Sequence, residues 1–150
     1  MVFRAPKDAR GDYVKRIVGL PNDRIQMING VVNINGTPIK HERIEDFGWT
    51  DENGRPSRAK RWRETLPNGV SYVTLDVQEN GSLDNTPVYT VPSGHYFVIG
   101  DNLDNSVDSR LPDQFGSVPF ENLVGRAAII FFSRAPSGSN RLDRIGTRVK

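Results

Sequence analysis

Asn-Gly occurs twice in close succession, at 29–30 and 35–36, each time beside short runs rich in β-branched residues. Both central residues of a type I′ turn need positive φ, which asparagine and glycine tolerate, so this dipeptide is the strongest short hairpin signal a sequence can carry. It commits residues 24–40 to a meander of short strands, 24–28, 31–34 and 37–40. The punctuation continues with Leu20-Pro21-Asn22-Asp23, where Asn22 suits a left-handed conformation, and with Pro92-Ser93-Gly94 and Gly116-Ser117-Val118-Pro119. Between these turns, residues 13–19 (YVKRIVG), 70–77 (VSYVTLDV), 87–91, 96–99 and 123–132 (LVGRAAIIFF) read as strands, the last being the most apolar run and expected to be buried. No helix of ordinary length is written anywhere. The expectation is a mostly β chain: antiparallel sheets coiled into a barrel-like sandwich around one core.

One stretch breaks the pattern. Over 41–66 apolar residues thin out and charges crowd, acidic first (Glu42, Glu45, Asp46, Asp51, Glu52) and then basic (Arg55, Arg58, Lys60, Arg61, Arg63). A periodic core face is missing there, and Trp49 and Trp62 are the residues able to anchor it. It reads either as a solvated insertion or as an anion-binding patch. Residues 1–40 and 88–150 are therefore expected to form the core, with 41–87 as a smaller, polar, β-rich inserted lobe.

Twenty basic residues against eighteen acidic ones leave a net charge of +2, too balanced to imply a nucleic-acid partner. There is no cysteine, and no apolar run approaches the roughly 18 residues that span a bilayer. His41 and His95, the two histidines, lie far apart without companion ligands, which argues against zinc. Val2 and Phe3 read as the end of a strand already under way, so Met1 is expected to be an artificial start inside a domain. The tail carries Arg134, Arg141, Arg144, Arg148 and Lys150, which suits either anionic lipid or a solvated end.

The densest chemistry lies in 94–110, GHYFVIGDNLDNSVDSR. Gly100 ends an apolar strand, and the next ten residues supply three Asp, two Asn, two Ser and one Arg. Asx-turns tying down a strand exit are one reading, and a site that orients a catalytic group elsewhere is the other. A calcium loop of the EF-hand type fails: counted from Asp101 the third position is Leu103, and counted from Asp104 the seventh is Arg110 and the twelfth is Phe115. Within 13–19, alternation places Lys15 on one face with Tyr13 and Ile17. It is either a lysine snorkelling along a half-buried sheet or a desolvated amine whose depressed pKa lets it serve as a general base.

Residues 13–23 (YVKRIVGLPND) and 100–110 (GDNLDNSVDSR) together resemble the bacterial type I signal peptidases, which carry a lysine strand of the form [FY]-[IV]-K-R-[VI]-[VI]-G-x-P-G-D, a variable insertion, and then G-D-N-x-x-x-S-x-D-S-R. Phe115-Gly116-Ser117-Val118 and Leu123-Val124-Gly125-Arg126-Ala127 extend the likeness. The resemblance implies the coiled-sheet fold of that family and a serine endopeptidase with a serine/lysine dyad. Such an enzyme is anchored in the bacterial inner membrane with its catalytic domain on the outer, periplasmic face, and it removes signal peptides from exported preproteins. It implies Lys15 as the base, Ser106 as the hydroxyl that positions it, and Asp101 with Arg16 and Asp108 with Arg110 as supporting ion pairs. Asp12, Tyr13 and Val14 are implied as substrate contacts, with the signal peptide added as a strand and Val14 walling shallow pockets for small residues. Neither a metal nor an organic cofactor is implied.

Three departures stand out. The first serine in the chain is Ser57, so none precedes Lys15, where the family places its nucleophile; a soluble fragment without catalytic activity is expected. Leu103 stands where many relatives have Arg, and Asn22 replaces the usual turn Gly. Two rivals remain: a non-catalytic periplasmic β module that binds extended peptides, and a conjugation-type processing peptidase sharing the dyad. An exposed edge strand could also pair two copies of the chain.

Overall fold

The computed structural model describes residues 1–7, 11–51, 53–130 and 142–149. Its strands run in chain order as β1 (Val2–Arg4), β2 (Asp12–Val14), β3 (Arg16–Gly19), β4 (Arg24–Ile28), β5 (Val31–Ile34) and β6 (Thr37–Pro38). A long hairpin follows, β7 (Lys40–Thr50) and β8 (Pro56–Thr65), then β9 (Ser71–Asp76) and β10 (Tyr89–Thr90). The last are β11 (His95–Ile99), β12 (Val118–Pro119) and β13 (Leu123–Gly125), with two single 3₁₀ turns as the helical content of the described residues. The fold is mostly β and built from antiparallel sheets.

The Asn-Gly turns form as the dipeptides demand. Asn29 and Gly30 take φ of 49° and 77°, Asn35 and Gly36 take 54° and 83°, and Asn22 sits at 72°. They close the sheet β10-β4-β5-β6, whose Ile25, Met27 and Val32 join Val18, Phe97, Ile99, Leu103 and Tyr72 in the larger core cluster. A second cluster, Phe3, Ala5, Val98, Phe115 and Val118, fills the space between the sheets β13-β1-β2 and β12-β11-β3. Strand β11 thus feeds both cores, Phe97 and Ile99 into one and Val98 into the other, as a period of two requires. Burying each of these large apolar side chains contributes about 1.5–3 kcal/mol.

Two readings of the sequence change. The expected single strand over 13–19 is two: β2 pairs with β1 and β3 pairs with β11, and the break falls on Lys15. The chain changes sheet at that residue, and its amide pairs back to Met1, with Lys15 N donating to Met1 O at 3.1 Å and the Met1 amine donating to Lys15 O at 2.7 Å. Among the described residues the apolar run at 123–132 is a strand only over β13, at the edge of its sheet, and Val124 and Ile129 are each 59% exposed rather than buried. Phe131 and Phe132, like Arg134, Arg141 and Lys150 of the basic tail, lie outside the described residues.

The charged stretch is ordered sheet. Strands β7, β8 and β9 form a three-stranded ladder, with pairs such as Arg43↔Trp62, Ile44↔Arg61 and Glu64↔Tyr72. Some of its charges pair locally, Arg43 with Asp46 along β7 and Lys60 of β8 with Glu79 just beyond β9. Trp62 anchors by stacking on His41, ring centroids 4.0 Å apart, whereas Trp49 stacks on Phe47 at 5.9 Å.

Candidate active site

The break between β2 and β3 frees the Lys15 side chain from the strict alternation of a strand. The loop after β11 comes back beneath it. Lys15 Nζ donates to Ser106 Oγ at 2.7 Å, joining residues 91 positions apart. Arg16 Nε and Nη2 grip Asp101 Oδ1 and Oδ2 at 2.8 and 3.0 Å, and the pair is partly open to solvent. Deeper in, Arg110 Nε and Nη2 grip Asp108 at 2.9 and 2.8 Å, with both side chains essentially excluded from water. Asp108 also accepts from the Gly100 amide at 3.0 Å, and Arg110 donates to the Leu103 carbonyl at 2.7 Å. The six polar residues read from the loop and the lysine strand therefore converge on one place.

The electrostatics follow from this arrangement. Burial pushes the Lys15 amine below its ordinary pKa; the Asp108 carboxylate opposes this, Arg110 assists it, and Asp101 opposes it more weakly. Each carboxylate that would hold a proton on Lys15 is clamped by an arginine in a two-point bond. An amine so placed is a better proton acceptor near neutrality than an exposed lysine.

A lowered pKa in the folded state also costs stability while the amine is charged. Below its folded pKa Lys15 carries that cost in full; between this pKa and its ordinary 10.5 the folded chain sheds the proton first, so stability rises with pH. Lys15→Met, similar in volume and uncharged, is accordingly expected to melt above the unsubstituted chain at pH 7, with the gain shrinking towards pH 10. A melting temperature lowered at pH 7 would contradict this.

Of the three substrate-contact candidates, Val14 is 60% exposed and lines a groove of about 770 Å³ that opens beside Lys15 and is walled also by Leu20, Leu66 and Val70. Asp12 is exposed and opposite Arg4 in the β1–β2 ladder. Tyr13 turns inward instead, edge-on to Phe115 with ring centroids 5.8 Å apart. Strand β2 is the edge of its sheet among the described residues, with no strand paired to its outer side there.

Three residues join the site without having been given a role in it. A Cβ added at Gly100 would overlap Ser106 Oγ, stand 2.6 Å from Ser106 Cβ and 3.4 Å from Lys15 Nζ. Ser109, buried, accepts from the Val98 amide at 2.9 Å and donates to the Gly116 carbonyl at 2.8 Å, stitching the loop to β11. Tyr72 of β9 lies under Arg16, whose Cζ is 4.2 Å from its ring centroid. The glycine after an apolar run was the available signal for the first, and the Asp-Ser-Arg ending of the motif for the second; nothing local marks Tyr72. Leu103, where an arginine was expected, is buried in the larger core and serves through its backbone carbonyl.

Residues 1–132 match the family model described as signal peptidase, peptidase S26. The chain is similar to the signal peptidase I of Rickettsia bellii (strain OSU 85-389), 40% identical over 139 residues that cover 89% of this chain and 46% of the relative. It is also similar to that of Rickettsia akari (strain Hartford), 43% identical over 139 residues covering 89% and 50%. Among solved structures, a signal peptidase I from Enterococcus faecalis V583 is similar at a TM-score of 0.44 and 24% identity, covering 81% of this chain and 86% of that one. The chain spans about half the length of the curated relatives it matches.

Proposed function

The chain belongs to the signal peptidase family, peptidase S26, and from that premise we propose that it is the part of a serine endopeptidase that carries the general base, Lys15, for cleaving signal peptides from exported preproteins. The observation that carries this is the 2.7 Å bond from Lys15 Nζ to Ser106 Oγ in a partly desolvated site. With one N–H committed to Ser106, the lone pair of the neutral amine is left to aim elsewhere, towards the groove. There it takes the proton of an attacking serine hydroxyl as that oxygen bonds to the scissile carbonyl carbon, and returns it to the leaving amine as the peptide C–N bond breaks.

The nucleophile is proposed to come from a serine outside these residues, since the first serine here, Ser57, is on β8. The preprotein would lie as an added strand along β2, with Asp12, Tyr13 and Val14 beside it and Val14 restricting the nearest side chain to a small one. Anchorage of the whole enzyme in the inner membrane, with this part on the outer face, belongs to the same proposal, as does residues 41–87 forming a lobe inserted in the core of 1–40 and 88–150.

The test is cleavage of a preprotein with a small residue before the cleavage point. The chain joined to its serine-bearing segment should cleave it, more readily as pH rises through the lowered Lys15 pKa, and Lys15→Ala should lose at least about a thousandfold. The 150 residues alone should not turn over. Turnover by them above their own Lys15→Ala control would overturn the assignment of the nucleophile.

A further inference from the structure

The hairpin sheet β7-β8-β9 is fastened to the loop that carries Ser106. Leu75 N donates to Asp101 O at 2.7 Å, Leu103 N returns a bond to Leu75 O at 2.9 Å, and the Asp104 carboxylate accepts from Val77 N and Gln78 N at 2.7 and 2.9 Å. Strand β9 therefore runs beside residues 101–104 as an added strand, and Leu75 bridges Asn102 in parallel.

A row of side chains crosses this sheet and ends at the site. His41, Glu64 and Tyr72 are successive cross-strand partners on β7, β8 and β9. Glu64 is fully buried, with His41 Nδ1 3.3 Å from Oε1 and the Thr74 hydroxyl donating to Oε1 at 3.3 Å. Burial beside that carboxylate drives the Tyr72 pKa far above the phenol range, so its ring stays neutral. Tyr72 is 3% exposed and belongs to the larger core, so its ring face is fixed, and it is this face that the Arg16 guanidinium covers. Guanidinium on one side meets ring, and at its nitrogens meets both oxygens of Asp101.

We propose that Tyr72 is a positioning residue for Lys15: its ring face holds the Arg16 guanidinium in the orientation in which it clamps Asp101 beside the lysine. The inference rests on Lys15 being the base. Without the ring beneath it the guanidinium loses the face contact that orients its plane, and holding a side chain of that length in one geometry costs more rotamer entropy. Asp101 would then act on Lys15 as an unclamped charge, adding to Asp108 and opposed by Arg110 alone among the groups that act on the amine.

The experiment uses the 150-residue chain and follows acylation of each lysine by peptide mapping as a function of pH, with Lys40 and Lys60 as internal references. Tyr72→Leu should move the Lys15 profile to higher pH and slow its acylation at pH 8 by about threefold or more, leaving the references unchanged. Tyr72→Phe, which keeps the ring face, should retain the unsubstituted profile. Arg16→Lys, which cannot make the two-point clamp, should reproduce Tyr72→Leu, and it supplies the reading if Tyr72→Leu does not fold. A folded Tyr72→Leu or Arg16→Lys variant with the unsubstituted Lys15 profile overturns the proposal, as does a Tyr72→Phe profile displaced like that of Tyr72→Leu. If Lys15 in the unsubstituted chain titrates like Lys40 and Lys60, the reading of Lys15 as base fails instead, and the inference with it.

Discussion

Gly100→Ala is expected to disconnect Lys15 from Ser106. The added Cβ would occupy the space of the Ser106 hydroxymethyl group, overlapping Oγ and standing 2.6 Å from Cβ, a separation that real Cβ contacts do not show. Neither neighbour can give cheaply. The Gly100 amide is held by Asp108 at 3.0 Å, and Asp108 is locked to Arg110. Ser106 follows a loop fastened at Asp104 to Val77 and Gln78. The overlap is therefore relieved by pushing Ser106 outward, which breaks the 2.7 Å bond to Lys15. In the acylation assay the Lys15 profile should move towards that of an ordinary lysine, and in the complete enzyme cleavage should fall by about a hundredfold or more, as for loss of an orienting hydrogen bond. The chain should also lose about 1–3 kcal/mol by denaturant unfolding, the usual cost of overpacking. An unchanged Lys15 profile would show that Ser106 does not orient the amine.

Arg110→Met should be the most destabilising single change in the site. Asp108 and Arg110 are 0% and 1% exposed, and removing the guanidinium leaves a buried carboxylate with only amide donors and orphans the Leu103 carbonyl. Breaking a buried pair from one side costs about 3–5 kcal/mol, because the remaining charge has no compensation. The double substitution Asp108→Leu with Arg110→Met removes both charges and should recover part of that loss, which a double-mutant cycle in urea measures directly. A loss under about 1 kcal/mol for Arg110→Met alone would contradict the account. The same change leaves Asp108 free to favour the protonated amine, so Lys15 should titrate higher even in the part of the population that stays folded.

The legibility of the site in the sequence divides along contact distance. Gly100, Asp101, Ser106, Asp108 and Arg110 fall within eleven residues, and their density alone marked them out. Lys15 did not stand out: an isolated lysine in an apolar strand fits a snorkelling side chain equally well, and only the resemblance of 13–23 and 100–110 to one family joined the two stretches. Of the hairpin sheet, β9 was legible as a strand, whereas β7 and β8 were legible only as a charged interruption. Those two strands are crowded with charge, which leaves no hydrophobic period to detect. The apolar run at 123–132 misled for the converse reason, since hydrophobicity does not say whether anything packs on a strand's outer face.

Local chemistry needs only near neighbours, and that is what the sequence determined: asparagine and glycine in left-handed turns, the meander between them, the glycine that ends β11, and the polar loop after it. The tertiary structure alone decided that the lysine strand breaks between two sheets, that the break falls on Lys15, and that Tyr72 from the hairpin sheet lies under Arg16. Each of these depends on where a strand finds its partner, and pairing in a β fold is settled by competition among distant edges and shared cores rather than by the preferences of the residues themselves.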